Sequence, residues 1–136
     1  MDHRQDARRL ARLMGWYYLV TGIWPLLHIR SFEWITGRKT DKWLVKAVGG
    51  LVTTTGATLL LAAERDEVGP EVATLAVGNA VALTAVDVVY VAKRRIRWVY
   101  LLDAVLEIAL LAGWFRLARQ WIDRDGRRRA DAANAG

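Results

Sequence analysis

The chain has 136 residues, a charged fraction of 25%, a formal net charge of +6 and no cysteine. That length holds one domain, and the lack of cysteine excludes disulfides, thiolate metal sites and thiol redox chemistry. A mean hydropathy of only +0.12 suggests a soluble protein until the charges are located. They crowd into residues 1–12, 30–42, 64–67, 93–97 and the stretch from Arg116 onward, and the segments between are almost entirely apolar.

Residues 1–12, with Arg4, Arg8, Arg9 and Arg12, read as a basic interfacial segment lying on anionic headgroups. A secretory signal is the competing reading, but His28, Ile29, Arg30, Phe32 and Trp34 stand where a cleavage site needs small residues. The first apolar run, Leu13 to Ile29, is therefore predicted to stay as a span, kinked near its end by Pro25. The longest connection follows at 30–42, where Gly37 favours a turn and Phe32, Trp34 and Ile35 can dip into the interface. Trp43 to Ala63 is the second run, and its Gly49, Gly50, Thr53 and Gly56 let a neighbouring backbone approach closely. The acidic link 64–70 ends in Gly69 and Pro70, a stop followed by a helix start. Val72 to Ala92 is the third run, and the brief KRRIR at 93–97 forces a tight hairpin into the fourth, Trp98 to about Ala118. Residues 122–136 read as a basic, disordered tail.

Each run is near the ~20 residues that a helix needs to cross a bilayer. The predicted fold is all-α: an up-down four-helix transmembrane bundle over residues 13–121, multi-pass in the cytoplasmic (inner) membrane of a bacterium. A soluble bundle would carry polar residues along its outer faces. Between Leu101 and Phe115 the only charged residues are Asp103 and Glu107, four apart and so on one stripe, with apolar residues all round. Six of the seven tryptophans lie near span ends, at headgroup depth. Lysine and arginine number eleven on the side of the termini and nine on the other, a slight preference for cytoplasmic termini that also permits dual insertion.

Up-down topology puts the 30–42 and 93–97 connections on one side of the membrane. His28, Lys46, Asp87 and Asp103 then fall at similar depth, with Glu107 one turn deeper. Such residues cost roughly 2.5–3.5 kcal/mol each in hydrocarbon, so they are expected to face one another or a watery cavity. Helical spacing aligns Tyr17, Thr21, Trp24 and His28 on span one, Lys46, Gly49, Thr53 and Ala57 on span two, Asn79, Leu83, Asp87 and Tyr90 on span three, and Tyr100, Asp103, Glu107 and Trp114 on span four. With Lys46 as the one cation, three ionised carboxylates leave about two uncompensated charges. A protonated His28, a protonated Glu107 or a bound cationic ligand would each balance them. The competing structural reading pairs Lys46 with one aspartate, gives the rest tyrosine or threonine hydroxyls, and leaves a network that only registers the helices.

The expected ligand-binding set is Asp103, Glu107, Asp87, Lys46, Tyr100, Trp24 and His28, with no catalytic assignment. With His3 as the only other histidine, a metal centre is not expected, and no cofactor motif is present. The threonines at 53–55 are expected to bond back within their own helix. The basic runs beside apolar spans read as lipid contacts, not as nucleic-acid sites.

The blocks FEWITGRKTDKWLVKAVGGLV, TTTGATLLLA and AVDVVYVAKRRIRWVYLLDAVLEIALL resemble a family of small four-span bacterial membrane proteins, similar in general build to DoxX-like proteins. The resemblance covers roughly residues 13–115 and implies a four-helix bundle in the cytoplasmic membrane, without an activity. The quinone-linked sulfur oxidation that some DoxX-related proteins accompany is not carried over, because no residue here supports redox chemistry. In architecture the chain is also similar to sterol isomerase-like proteins, whose buried acids hold amine or carbocation-like ligands.

The leading functional expectation is a protein that binds or transports a small amphipathic or cationic molecule. The alternatives are acid–base chemistry on a lipid or isoprenoid, and an accessory subunit of a larger membrane complex. Expected partners are membrane lipids, that ligand, and a second copy of the chain or a larger assembly.

Overall fold

The computed structural model describes residues 3–134, and residues 1, 2, 135 and 136, the outermost parts of the two predicted basic segments, lie outside that range. Among the described residues every regular element is helical: α1 (His3–Leu27), α2 (Ile29–Thr36), α3 (Lys42–Glu64), α4 (Pro70–Ala92) and α5 (Tyr100–Asn134). Four long helices stand where the four apolar runs predict them. By length and apolarity, α3 and α4 suffice to cross a bilayer. α5 carries Asp103, Glu107 and Arg116 within its apolar stretch, and α1 starts on a basic third.

Three expectations about boundaries change. Residues 3–12 are not a separate interfacial segment but the first turns of α1. The 30–42 connection holds a helix of its own, α2, because Ser31, Phe32, Glu33 and the residues around them make a short amphipathic turn pattern. The tail from 122 is helical through Asn134, although every residue from 122 to 134 is exposed. At 1.5 Å per residue α5 is about 52 Å long, well beyond a bilayer's hydrocarbon core.

The ends follow their local chemistry. α1 stops two residues after Pro25, whose ring excludes the carbonyl of the preceding turn. His28 then caps α2, its Nδ1 accepting from the Ser31 backbone N–H at 3.1 Å. Gly69 caps α4 and Pro70 fills its first position, where a missing N–H costs nothing. α3 and α4 each end in a turn with a left-handed residue, Asp66 (φ 56) and Arg94 (φ 54). Glu67 N–H returns to Ala62 O at 2.9 Å, and Arg95 N–H to Tyr90 O at 2.9 Å, which satisfies carbonyls the helix leaves open.

The helices pack as two pairs. α1 lies antiparallel on α3 through glycines spaced seven apart on each helix: Gly15 opposes Gly56, and Gly22 opposes Gly49. A Cβ at Gly56 would sit 2.6 Å from Leu19 N and 2.8 Å from Gly15 O, so backbone meets backbone. Gly49 and Gly56 thus fill the packing role predicted for them, whereas Gly50 faces open space and does not. α4 and α5 form the expected hairpin, and α1 meets α5 along a narrower contact. The core between the pairs holds Met14, Tyr18, Leu59, Ala76, Ala80, Leu110 and Trp114.

Outward faces are apolar on all four long helices. Leu13 and Val20, Leu51 and Leu61, Val81 and Val86, and Val105 and Phe115 are each more than half exposed. Asp87 and Glu107, in contrast, are buried. The threonines behave as predicted: Thr53, Thr54 and Thr55 donate to the carbonyls of Gly49, Gly50 and Leu51.

Candidate functional site

Toward the α2 end, the seam between the two helix pairs turns from apolar to polar. α5 presents Asp103 and Glu107 one turn apart on the face that meets α1. α1 answers with two adjacent tyrosines, whose directions differ by about 100° on a helix, so that they straddle the α5 stripe. The Tyr17 hydroxyl donates to Asp103 Oδ1, and the Tyr18 hydroxyl donates to Glu107 Oε2 at 2.8 Å. The two rings lie 5.9 Å apart. One turn below, Trp114 Nε1 donates to Met14 Sδ at 3.2 Å. α4 adds Asp87, 4% exposed, close enough for the charge of Asp103 and Glu107 to act on its carboxyl.

Four buried oxygens in these helices have no hydrogen-bond partner: Asp87 Oδ2, Glu107 Oε1 and Thr84 Oγ1 near the carboxyls, and Gln120 Oε1 farther along α5. Glu107 has no solvent contact at all. Three carboxyl groups therefore share two tyrosine donors, with no basic side chain hydrogen-bonded to any of them among the described residues. Buried like charges at this spacing require protons or a cation between them. Full ionisation without either is not a stable state of the seam.

Asp87, Asp103 and Glu107 thus converge as the sequence predicts. The rest of the predicted set does not join them. Lys46 is exposed: it lies one turn before Gly49, off the edge of the face that α3 turns to α1. The basic group whose field reaches Asp87 is Lys39, in the link between α2 and α3. Its Nζ stands 4.5 Å from the centroid of the Tyr100 ring, which takes Tyr100 into a cation–π contact at the bundle end and away from the carboxyls. His28 is an exposed helix cap. Trp24 donates its indole N–H to Ser31 Oγ at 2.8 Å and packs edge-on against Phe32, bracing the α1–α2 corner.

Tyr18 and Thr84 are the residues that sequence reasoning missed. Tyr18 falls outside the stripe drawn through Tyr17 and Thr21, and only the pairing of α1 with α5 brings it to Glu107.

The α2–α3 link is set by Glu33. Its Oε1 accepts from the Lys39 backbone N–H at 2.9 Å, and its Oε2 lies 3.4 Å from Lys42 Nζ. The Lys39 N–H, with Lys42 and Arg38 adding their charge, holds this carboxyl below the ordinary glutamate range. Among the described residues no cluster of metal-ligating side chains occurs.

Comparison of the chain with protein-family models, with curated proteins and with solved structures gives no match.

Proposed function

We propose that this chain is a four-span protein of the bacterial cytoplasmic membrane whose seam of carboxyls and tyrosines binds a small amphipathic cation, as a carrier or receptor for it. The observation that carries the reading is the imbalance at the seam: Asp87, Asp103 and Glu107 gathered in the interior with hydroxyl donors only, and with Asp87 Oδ2 and Glu107 Oε1 unpartnered. A cation entering between the helix pairs supplies the missing positive charge, and aromatic rings at Tyr17 and Tyr18 face its apolar part. Membrane placement rests on large apolar side chains exposed along all four long helices while Asp87 and Glu107 are buried, against the pattern of a soluble bundle. General build similar to DoxX-like membrane proteins is in keeping with it.

The probe is tetraphenylphosphonium, whose permanent charge sits inside an apolar shell. Equilibrium dialysis against the protein in neutral detergent should give saturable binding. It should weaken at least tenfold in the double variant Asp103→Asn, Glu107→Gln, which keeps hydrogen-bonding shape and removes charge. Equal binding by parent and variant overturns the reading. A second reading is favoured by the complete burial of Glu107 on Tyr18: a network that only registers the two pairs. It predicts that the same variant changes the melting temperature and leaves binding as it was.

A further inference from the structure

A second site of opposite character opens at the end of the bundle where α2 meets the 93–99 connection. An open groove there is lined by Arg30, Glu33, Trp34, Gly37, Arg38 and Arg97. Three arginines line it, Arg30 from α2, Arg38 from the link after it and Arg97 from the 93–99 connection, and among the described residues none of them makes a hydrogen bond or a close ion pair. The one acid in the lining, Glu33, is already occupied by the Lys39 N–H and Lys42. Lys42 and the Lys39 N–H lie outside the groove, and although Arg38 adds its field to Glu33, the lining still carries three arginines against one carboxylate.

The shape is built, not incidental. Gly37 adopts φ +91, which only glycine takes without strain, and a Cβ there would strike Arg97 Cδ at 2.8 Å. The aliphatic stem of Arg97 therefore passes close over the turn at Gly37. Trp34 is 83% exposed beside the groove, an indole free to seat against acyl or glycerol carbons at headgroup depth. Planar guanidinium forks match phosphate oxygens in pairs, and arginine is the side chain suited to that contact.

We propose that this groove is a phosphate site, with Arg30 and Arg38 as the donors and Arg97 beside them, and that it receives the headgroup of an anionic phospholipid. Only the lipid source rests on the membrane reading; the phosphate chemistry does not, nor does the carboxyl seam enter it.

Tryptophan fluorescence of the protein in dodecyl maltoside would be titrated with dioleoyl phosphatidylglycerol, with dioleoyl phosphatidylcholine and with inorganic phosphate. Phosphatidylglycerol should bind saturably, and at least tenfold more weakly in the variant Arg30→Gln, Arg38→Gln. Arg127→Gln, Arg128→Gln, on the exposed end of α5, serves as the control for bulk charge and should bind as the parent does. Inorganic phosphate binding with the same dependence on Arg30 and Arg38 would support the site and assign its source to free phosphate. Equal binding by the groove variant and the parent, or an equal loss in the α5 control, overturns the proposal. Tetraphenylphosphonium binding should survive the groove substitutions, so the two sites fail separately.

Discussion

Adding one methyl group to α3 tests how the fold holds the seam. In Gly56→Ala the new carbon would lie 2.6 Å from Leu19 N and 2.8 Å from Gly15 O, both rigid backbone atoms. Contact distances for such atoms start near about 3.5 Å, so α1 and α3 must part by roughly 0.7–1 Å around this crossing. A gap of that size forfeits a quarter to a half of each dispersion well, and over roughly thirty atom pairs of about 0.1–0.2 kcal/mol the loss is about 1–3 kcal/mol. Measured costs of overpacked cores fall in the same range. In Gly50→Ala the methyl meets nothing within 4 Å, so the change should be neutral or stabilising by about 0.5–1 kcal/mol.

Both variants gain the same alanine helix propensity, so their difference isolates packing. Thermal unfolding in detergent micelles, followed by tryptophan fluorescence, should place Gly56→Ala below Gly50→Ala by that 1–3 kcal/mol. The methyl at 56 would also press on Tyr18 Cβ at 3.0 Å. It should therefore disturb the hydroxyl that holds Glu107, and weaken tetraphenylphosphonium binding where Gly50→Ala does not. Equal stability of the two alanine variants would refute the close crossing of α1 and α3.

The left-handed turns offer a gain instead of a loss: Asp66→Gly and Arg94→Gly should each stabilise the fold by up to about 1 kcal/mol, since glycine takes positive φ without the Cβ penalty, and chemical denaturation in micelles would register it. Glu33 should show itself in acid. Its folded value is depressed, so its contribution is fully present above the ordinary value near 4.5 and is lost as pH falls through the lower folded value. Melting curves of the parent should therefore drop below pH 4.5 by more than those of Glu33→Gln, and parallel curves would remove Glu33 from the α2–α3 link.

The helix pattern was legible because spacing is. The i, i+4 pair Asp103 and Glu107 could be read as a buried stripe from sequence alone, and Asp87 followed from depth. Depth is not direction, however. Lys46 sits at the right height, but the azimuth of α3 is set by Gly49 and Gly56 against α1, and that rotation leaves Lys46 outside. Lys39 lies in an irregular link held by Glu33, where no periodicity speaks. Tyr18 needed knowledge of which helix neighbours α1. The basic tail misled for another reason: its arginines and alanines lack a core to pack on, yet they are strong helix formers, so α5 propagates past the last buried residue.

The division into two pairs gives the seam its leverage. Within α1 and α3, backbone contact at four glycines makes separation expensive. Between the pairs an apolar core of Met14, Leu59, Ala76, Ala80 and Leu110 makes contact, and on the membrane reading such faces gain little by preferring each other to acyl chains. The polar links from α1 to α5, Tyr17 to Asp103, Tyr18 to Glu107 and Trp114 to Met14, add directional contacts to that core. Two of the three end on carboxyl groups whose charge must be balanced by whatever proton or cation occupies the seam. On the proposed cation-binding reading, occupancy and cohesion are one equilibrium: a cation that displaces the tyrosine hydroxyls would loosen the pairs, and loosening the pairs would expose the carboxyls to the next cation. Motion in this protein is accordingly expected at the α1–α5 contact, with each pair moving as a unit.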